Sequence, residues 1–292
     1  MNARLKRVTL PQMLIMLFLI LYALVCVLPL IMVLSASFTS ESILRSQGYA
    51  LIPRGVTLDA YKLLYRQSPE VISSYGLTIL VTAVGTFLAV LISACTGYAL
   101  ANKDVYYRNA LSMFLFLPTL ISAGIVPWYM VNNLLGLRNN IFALIVPRLM
   151  FSVFNVFLVR NFMAALPEAM RESAKIDGAN DVRIALQIYF PLSLPVLATI
   201  TLFYGLNYWN DWYNCIMLVS DTKLYPLQYL LFELQSRITE ARELSQIGVN
   251  IMLPGEAFKM ATVVVTVGPI VLLYPFLQRY FVKGITVGAV KG

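Results

Sequence analysis

The chain has 292 residues, 59% of them hydrophobic and 12% charged, with a mean hydropathy of +0.75 and a formal net charge of +8. That is about half the charged fraction of an average soluble domain, which excludes a soluble globular enzyme and points to an all-α polytopic membrane protein. There is no histidine and no Gly-x-x-x-x-Gly-Lys-[Ser/Thr] run, so the commonest general base, the commonest metal ligand and the usual phosphate loop are all missing.

Six stretches reach the roughly 20 apolar residues that one bilayer crossing needs. The first, Gln12 to Leu34, follows a basic start (Arg4, Lys6, Arg7) and ends at the small residues Ser35-Ala36-Ser37. Secretory signal cores are about 7–15 residues; this one is longer and reads as an uncleaved anchor. A segment of mixed polarity from Ser35 to Tyr75 leads to the second span, Gly76 to Ala101. Spans three and four are Ala110 to Val131 and Ile141 to Phe162. Prolines within the spans, at 118, 127, 269 and 275, predict kinks, since neighbouring helices in a membrane can satisfy the freed carbonyls.

Between spans four and five runs "LPEAMRESAKIDGANDVRIALQIYFP", Leu166 to Pro191. Pro167 suits a first helical turn, Glu168 and Glu172 favour its positive end, and Gly178 can supply a left-handed cap. Asn180 or Asp181 can then cap a second helix running to Phe190. The expected object is helix, tight turn, helix.

The fifth span, Leu192 to Val219, ends in "LNYWNDWYN". On a continuous helix Asn207, Asn210, Asp211 and Asn214 fall at i, i+3, i+4 and i+7, one face, with Tyr208, Trp209, Trp212 and Tyr213 on adjoining faces. A polar stripe is costly against lipid. Amides that bond hydroxyls, beside flat aromatic faces, suit a carbohydrate path lined by Asn207, Trp209, Asn210, Asp211 and Asn214; an aromatic belt at the outer interface is the alternative. Asp211, the one acid within a span, serves either that path or a pair with Arg148. Arg148 in turn either attracts an anionic sugar or snorkels to headgroups. After Ser220 to Lys259, where Leu227, Leu230, Leu231 and Leu234 mark one face of a surface helix, comes the sixth span, Met260 to Phe281.

With the N-terminus inside, the inner loops carry twelve Lys and Arg against five acids, and the outer side ten against nine. The positive-inside rule therefore places both termini in the cytoplasm. The basic balance reflects topology and lipid headgroups, not nucleic acid. Cys26, Cys95 and Cys215 lie far apart within spans and give no disulfide or metal pattern.

Glu172-Ser173-Ala174, then Asp177-Gly178, then Ile188-x-Phe190-Pro191 resembles the "EAA" loop of permease subunits in binding-protein-dependent ABC importers. Ser173 and Phe190 depart from that pattern conservatively. The resemblance extends through "GYALANKD" (Gly97 to Asp104), the stretch Phe116 to Pro147, "LYPLQYLL" (Leu224 to Leu231) and the tail "QRYFVKGITVGAVKG". These stretches are similar to carbohydrate permeases of the type I importer class, among them the smaller maltose permease subunit and the complex-oligosaccharide, lipoprotein-type branch.

The resemblance implies one permease domain over 1–292 with a cytoplasmic coupling loop over 163–191. It implies a bacterial inner-membrane complex with a second permease subunit, a pair of ATPase subunits that bind the ATP and magnesium, and an extracytoplasmic solute-binding protein. It gives no cofactor, no metal and no catalytic residue to this chain. Coupling to the ATPase falls to Glu172 and Asp177 as polar contacts and to Ala174 and Gly178 as points of close approach. An ion-coupled transporter or a membrane-embedded enzyme would need clustered titratable groups, and the spans hold no such cluster. Which sugar is carried stays open, as does a cargo such as a glycerol-phosphate-like solute.

Overall fold

The computed structural model describes residues 10–67, 70–147, 149–246, 255–269 and 271. The structure of these residues is helical, with one isolated bridge, Thr39–Val56, in place of any sheet. The chain divides into two compact units, 1–69 with 234–268, and 70–233 with 269–292.

In the first unit, α1 (Leu10–Ser37) is apolar along its length and buries only Ser35, Ala36 and Ser37 at its end. The rest of α1 shows its hydrophobic side chains outward, as a helix does when lipid or another protein is its solvent. Two short helices follow, α2 (Glu41–Gln47) and α3 (Asp59–Gln67). Ala36, Leu44, Ala60, Ala257 and Ala261 form a small core, tied by a 2.8 Å bond between Ser37 Oγ and the Tyr61 hydroxyl. Residues 256–269 are helical, and the Glu41 carboxylate accepts the Ala257 N–H at 3.0 Å near the start of that helix. Burial pushes the Glu41 carboxyl up, but the Ala257 amide and Arg45 outweigh it and hold it below the usual carboxylate range, as an acid at a helix N-terminus favours.

The second unit is built on α4 (Val71–Ala101), which packs against α8 (Val153–Ala164) and α12 (Leu194–Trp209). Its buried face includes Ser74, Thr78, Val81, Gly85, Ala89, Ser93 and Gly97. That spacing of three and four is one helical stripe, and its small residues let helices approach closely where no hydrophobic effect draws them together. A Cβ on Gly85 would lie 2.5 Å from the Tyr208 ring, and one on Gly97 2.7 Å from Val159. Hydroxyls join the bundle: Tyr204 bonds Ser93 Oγ at 2.7 Å and accepts the Ser152 N–H at 3.0 Å. Tyr208 donates to the Ile145 carbonyl at 2.8 Å.

Among the described residues α1 and α4 are the two helices long and apolar enough to cross a membrane unaided. The segment Asp181–Leu192 and α12, bent by 81° about Ser193, make a third if taken as one span. Three of the expected continuous spans are broken. Ala110 to Val131 splits into α5 (Arg108–Leu120) and α6 (Ile125–Leu134), where Gly124 takes φ +81°. Ile141 to Phe162 splits into the single turn α7 (Phe142–Ile145), an irregular stretch beyond Pro147, and α8; a proline removes a donor and clashes with the preceding turn. Leu192 to Val219 splits at 210–212 into α12 and α13 (Tyr213–Leu218). Of the expected sixth span, residues 260–269 are helical, and most of the remainder lies outside the described residues. The surface helix expected after Ser220 is present as α14 (Leu227–Gln246), with Leu227 and Leu230 buried.

Candidate functional site

Two features concentrate polar side chains in the second unit: a helical hairpin between α8 and α12, and a cavity where α12 ends.

The hairpin opens with α9 (Ala169–Ile176). Gly178, at φ +81°, ends it: the Gly178 N–H bonds the Lys175 carbonyl at 3.0 Å and the Ala179 N–H bonds the Ala174 carbonyl at 2.9 Å. This pair is the Schellman arrangement that a left-handed residue permits. Asn180 then caps α10 (Asp181–Ile184), its Oδ1 accepting the Arg183 N–H at 2.8 Å. A π-helical turn, Ala185–Tyr189, and α11 (Phe190–Leu192) carry the chain to α12.

Of the four residues expected to meet an ATPase, three are exposed: Glu172, Asp177 and Gly178. Ala174 is buried in this chain's own core, so its small side chain seats α9 on the bundle. Ile176 is 87% exposed and Val182 66%, an apolar tip that sequence reasoning passed over although hydrophobic residues beside a polar turn were its signal.

The base of the hairpin is held to the end of α4 by charge. Arg171, buried but for 6% of its surface, pairs with Asp104, which also takes Lys175, while Lys103 pairs with Glu168. Asp181 lies 4.0 Å from Arg171 Nε and accepts from the Tyr98 hydroxyl at 3.5 Å. The Lys175 hydrogen bond, with the Arg171 charge beside it, holds the Asp104 carboxyl below the usual range. Nothing in the sequence signals that pairing, because Asp104 and Arg171 are joined only by the fold.

The second feature is a cavity of about 510 Å³. Asn207, Asn210, Asp211 and Asn214 all line it, although the helix expected to align them does not exist. α12 stops at Trp209, and the break at 210–212 turns the last three toward the space instead. Trp209 departs from the expectation: it is buried and borders a separate apolar groove with Thr82, Thr86 and Gly205. Its place at the cavity is taken by Trp212, with Tyr204, Tyr213 and Phe151. Trp212 stacks on Phe232 with ring centres 4.8 Å apart. Arg148, named as a possible partner of Asp211, lies outside the described residues.

The Asn214 amide is fixed. Its Nδ2 donates to the Pro147 carbonyl at 3.0 Å, and its Oδ1 is buried with no hydrogen-bond partner among the described residues. Asn210 is used at both ends, donating to the Leu206 carbonyl at 2.9 Å and accepting from Gln228 Nε2 at 3.0 Å. Acceptors beside aromatic faces are the chemistry by which proteins hold polyhydroxylated ligands.

Residues 3–287 match the family described as binding-protein-dependent transport system inner membrane component. The polygalacturonan/rhamnogalacturonan transport system permease protein YtcP of Bacillus subtilis is 38% identical, over 96% of this chain and 98% of its own. Protein LplC of the same organism is 34% identical, over 92% and 90%. A bacterial ABC transporter involved in the import of the acidic polysaccharide alginate has a chain that superimposes with a TM-score of 0.81 at 26% identity, covering 96% of this chain and 99% of that one.

Proposed function

The chain belongs to the family of binding-protein-dependent transport system inner membrane components, and from that premise we propose that it is one permease subunit of an ATP-driven importer of a sugar or oligosaccharide. Its relatives are transport permeases, not enzymes. The cargo class follows from their names and from the cavity of amides and aromatic rings at the end of α12.

Six membrane crossings, with both termini cytoplasmic, are part of this reading. They require that the broken helices over 110–131, 141–162 and 192–219 count as spans, as interrupted helices do where neighbouring protein satisfies the freed backbone. A second permease subunit, two ATPase subunits holding ATP and magnesium, and a solute-binding protein outside complete the assembly.

The observation that carries the coupling is the hairpin. A rigid element transmits movement only if it is firm at its base and free at its tip. Here the base is tied to α4 through Lys103, Asp104, Arg171 and Glu168, and the exposed part of the hairpin offers the apolar Ile176 and Val182 and the acids Glu172 and Asp177. ATP-driven closure of the ATPase pair moves such a hairpin as a body, and α4 and α12 move with it. The cavity then opens outward to receive cargo and inward after hydrolysis.

The test is to purify the tagged chain from its native membrane and identify its companions by mass spectrometry. The expected set is a second permease and an ATPase with a phosphate loop, and Ile176→Asp should release the ATPase while keeping the second permease. A chain that purifies alone and moves sugar without ATP refutes the proposal.

A further inference from the structure

Beside the cavity at the end of α12 lies a smaller one, of about 260 Å³, and the two share Ser152, Leu206 and Asn207 as a common wall. Phe154, Asn155 and Phe203 complete the smaller one, and no charged side chain borders it among the described residues. Asn155 stands in the first turn of α8, where its main-chain N–H donates to Ser152 Oγ at 3.4 Å. Only 3% of the residue is exposed. Its side-chain amide nonetheless makes no hydrogen bond among the described residues and, unlike Asn214 Oδ1, is not sealed from the cavity it borders. The exposed Asn207 amide is likewise unpaired among the described residues.

Counted from the ends that meet the hairpin, Asn155 and Asn207 lie about 14 and 20 Å along α8 and α12, inside a hydrocarbon layer about 30 Å thick. An unpaired amide at that depth is too costly to face lipid, and each amide keeps donors and an acceptor to offer. The Phe154 and Phe203 rings stand 6.5 Å apart between centres, inclined by 39°. Phe154 is 68% exposed, so a flat apolar face adjoins the amides. A ligand that matches both carries hydroxyl groups round the edge of an apolar ring face, as a sugar unit does.

We propose that the smaller cavity is a second sugar subsite, in which Asn155 and Asn207 bond the hydroxyls of one ring lying on Phe154 while a linked ring of the same chain occupies the larger cavity. This rests on the importer reading above and adds to it a dependence on chain length. A single ring fills one cavity and leaves the other empty. Once the first ring is held, the second binds as part of the same molecule and adds affinity without a further loss of translational freedom. Asn207 stands at the junction, and Asn155 is the residue that makes the longer chain preferred.

The test uses the complex purified with its partner subunits, in which Cys26 and Cys95, both exposed, are replaced by alanine. Phe151→Cys puts a thiol on the larger cavity alone, and Asn155→Cys puts one on the smaller. Both should react with a small water-soluble maleimide. Import into vesicles, with the binding protein present, of α- and β-linked oligosaccharides of glucose, galactose, mannose, xylose, arabinose and galacturonate identifies a sugar that is carried. Its mono- to tetrasaccharides are then used to protect the Phe151→Cys thiol. The half-protecting concentration should fall about tenfold or more at the chain length that reaches the second subsite, since each hydrogen bond gained contributes roughly 2–10-fold. Asn155→Ala should reduce that step by roughly 2–10-fold and leave the monosaccharide unchanged. Phe154→Leu, at an exposed position, should reduce the step without disturbing the fold.

The absence of a step with chain length, a step that survives both Asn155→Ala and Phe154→Leu, or a loss in Asn155→Ala that is equal at every length overturns the subsite and leaves the path in place. So does an Asn155→Cys thiol that stays unlabelled while the Phe151→Cys thiol reacts, because another helix or lipid then covers the cavity. A sugar that is imported without protecting the Phe151→Cys thiol overturns the path itself. If no sugar of the panel is imported, the sugar reading fails and the subsite with it.

Discussion

Gly178 sits at the turn of the hairpin for two separable reasons, and two substitutions distinguish them. Its φ of +81° is left-handed, yet a Cβ added there meets nothing within 4 Å. Within this chain, then, Gly178→Ala carries only the backbone penalty for an L-residue, about 1–2 kcal/mol. Asparagine visits the same region more readily, so Gly178→Asn should melt close to the wild type. If the turn docks against an ATPase, the space that is empty in the chain is filled in the complex, and the larger asparagine should do more harm than alanine despite its better backbone fit. A docking loss of about 1.4 kcal/mol lowers the occupancy of the coupled state tenfold. The assay is thermal melting of the purified complex in parallel with sugar-stimulated ATP hydrolysis. Gly178→Asn should retain its melting temperature and lose most of the stimulated activity, with Gly178→Ala showing the reverse weighting. Wild-type ATP hydrolysis in both variants refutes close approach at this residue, and recovery of both measurements in Gly178→Asn reduces the role of Gly178 to its backbone.

Tyr204→Phe removes the hydroxyl that serves both Ser93 Oγ and the Ser152 N–H and should destabilise the complex by about 1–3 kcal/mol, lowering Tm on the order of 2–10 °C; a double-mutant cycle with Ser93→Ala should show coupling, and an unchanged melting curve contradicts the network. Gly97→Ala places a methyl 2.7 Å from Val159 and 3.2 Å from the Arg160 backbone nitrogen, so overpacking of about 1–3 kcal/mol should exceed the gain in helix propensity of up to about 1 kcal/mol; a variant as stable as the wild type means α4 and α8 can part without cost. The Asp104 clamp carries a pH signature. Its carboxyl ionises at lower pH folded than the unfolded value of about 3.9, so its stabilising contribution is complete above that value and is lost as pH falls through the folded one. The difference in hairpin proteolysis between wild type and Asp104→Asn should be present at pH 7, begin to shrink only below about pH 4 and disappear once the folded carboxyl is protonated; a difference that does not shrink with acid assigns it to something other than the charge.

The hairpin was legible because its determinants are local. Gly178 needs a left-handed backbone, Asn180 caps whatever helix follows it, and both act on amides within a few residues. The polar stripe was legible only in part. Asn207, Asn210, Asp211 and Asn214 do share a space, but a continuous helix over them was the wrong reason, and it placed Trp209 in the cavity where Trp212 stands. Helical periodicity holds only while the helix does, and the break at 210–212 rotates everything after it.

By itself the sequence determined the membrane class, the helical content and the capped hairpin, since bulk hydropathy and short-range hydrogen bonding are properties of composition and of neighbours along the chain. Only the tertiary structure decided that Ala174 faces inward, that Asp104 reaches Arg171 and Lys175, and that the Asn214 amide is fixed by the Pro147 carbonyl. Those facts depend on groups tens of residues apart in sequence being brought within bonding distance. The small-residue stripe on α4 lets α8 and α12 approach closely enough to define that geometry.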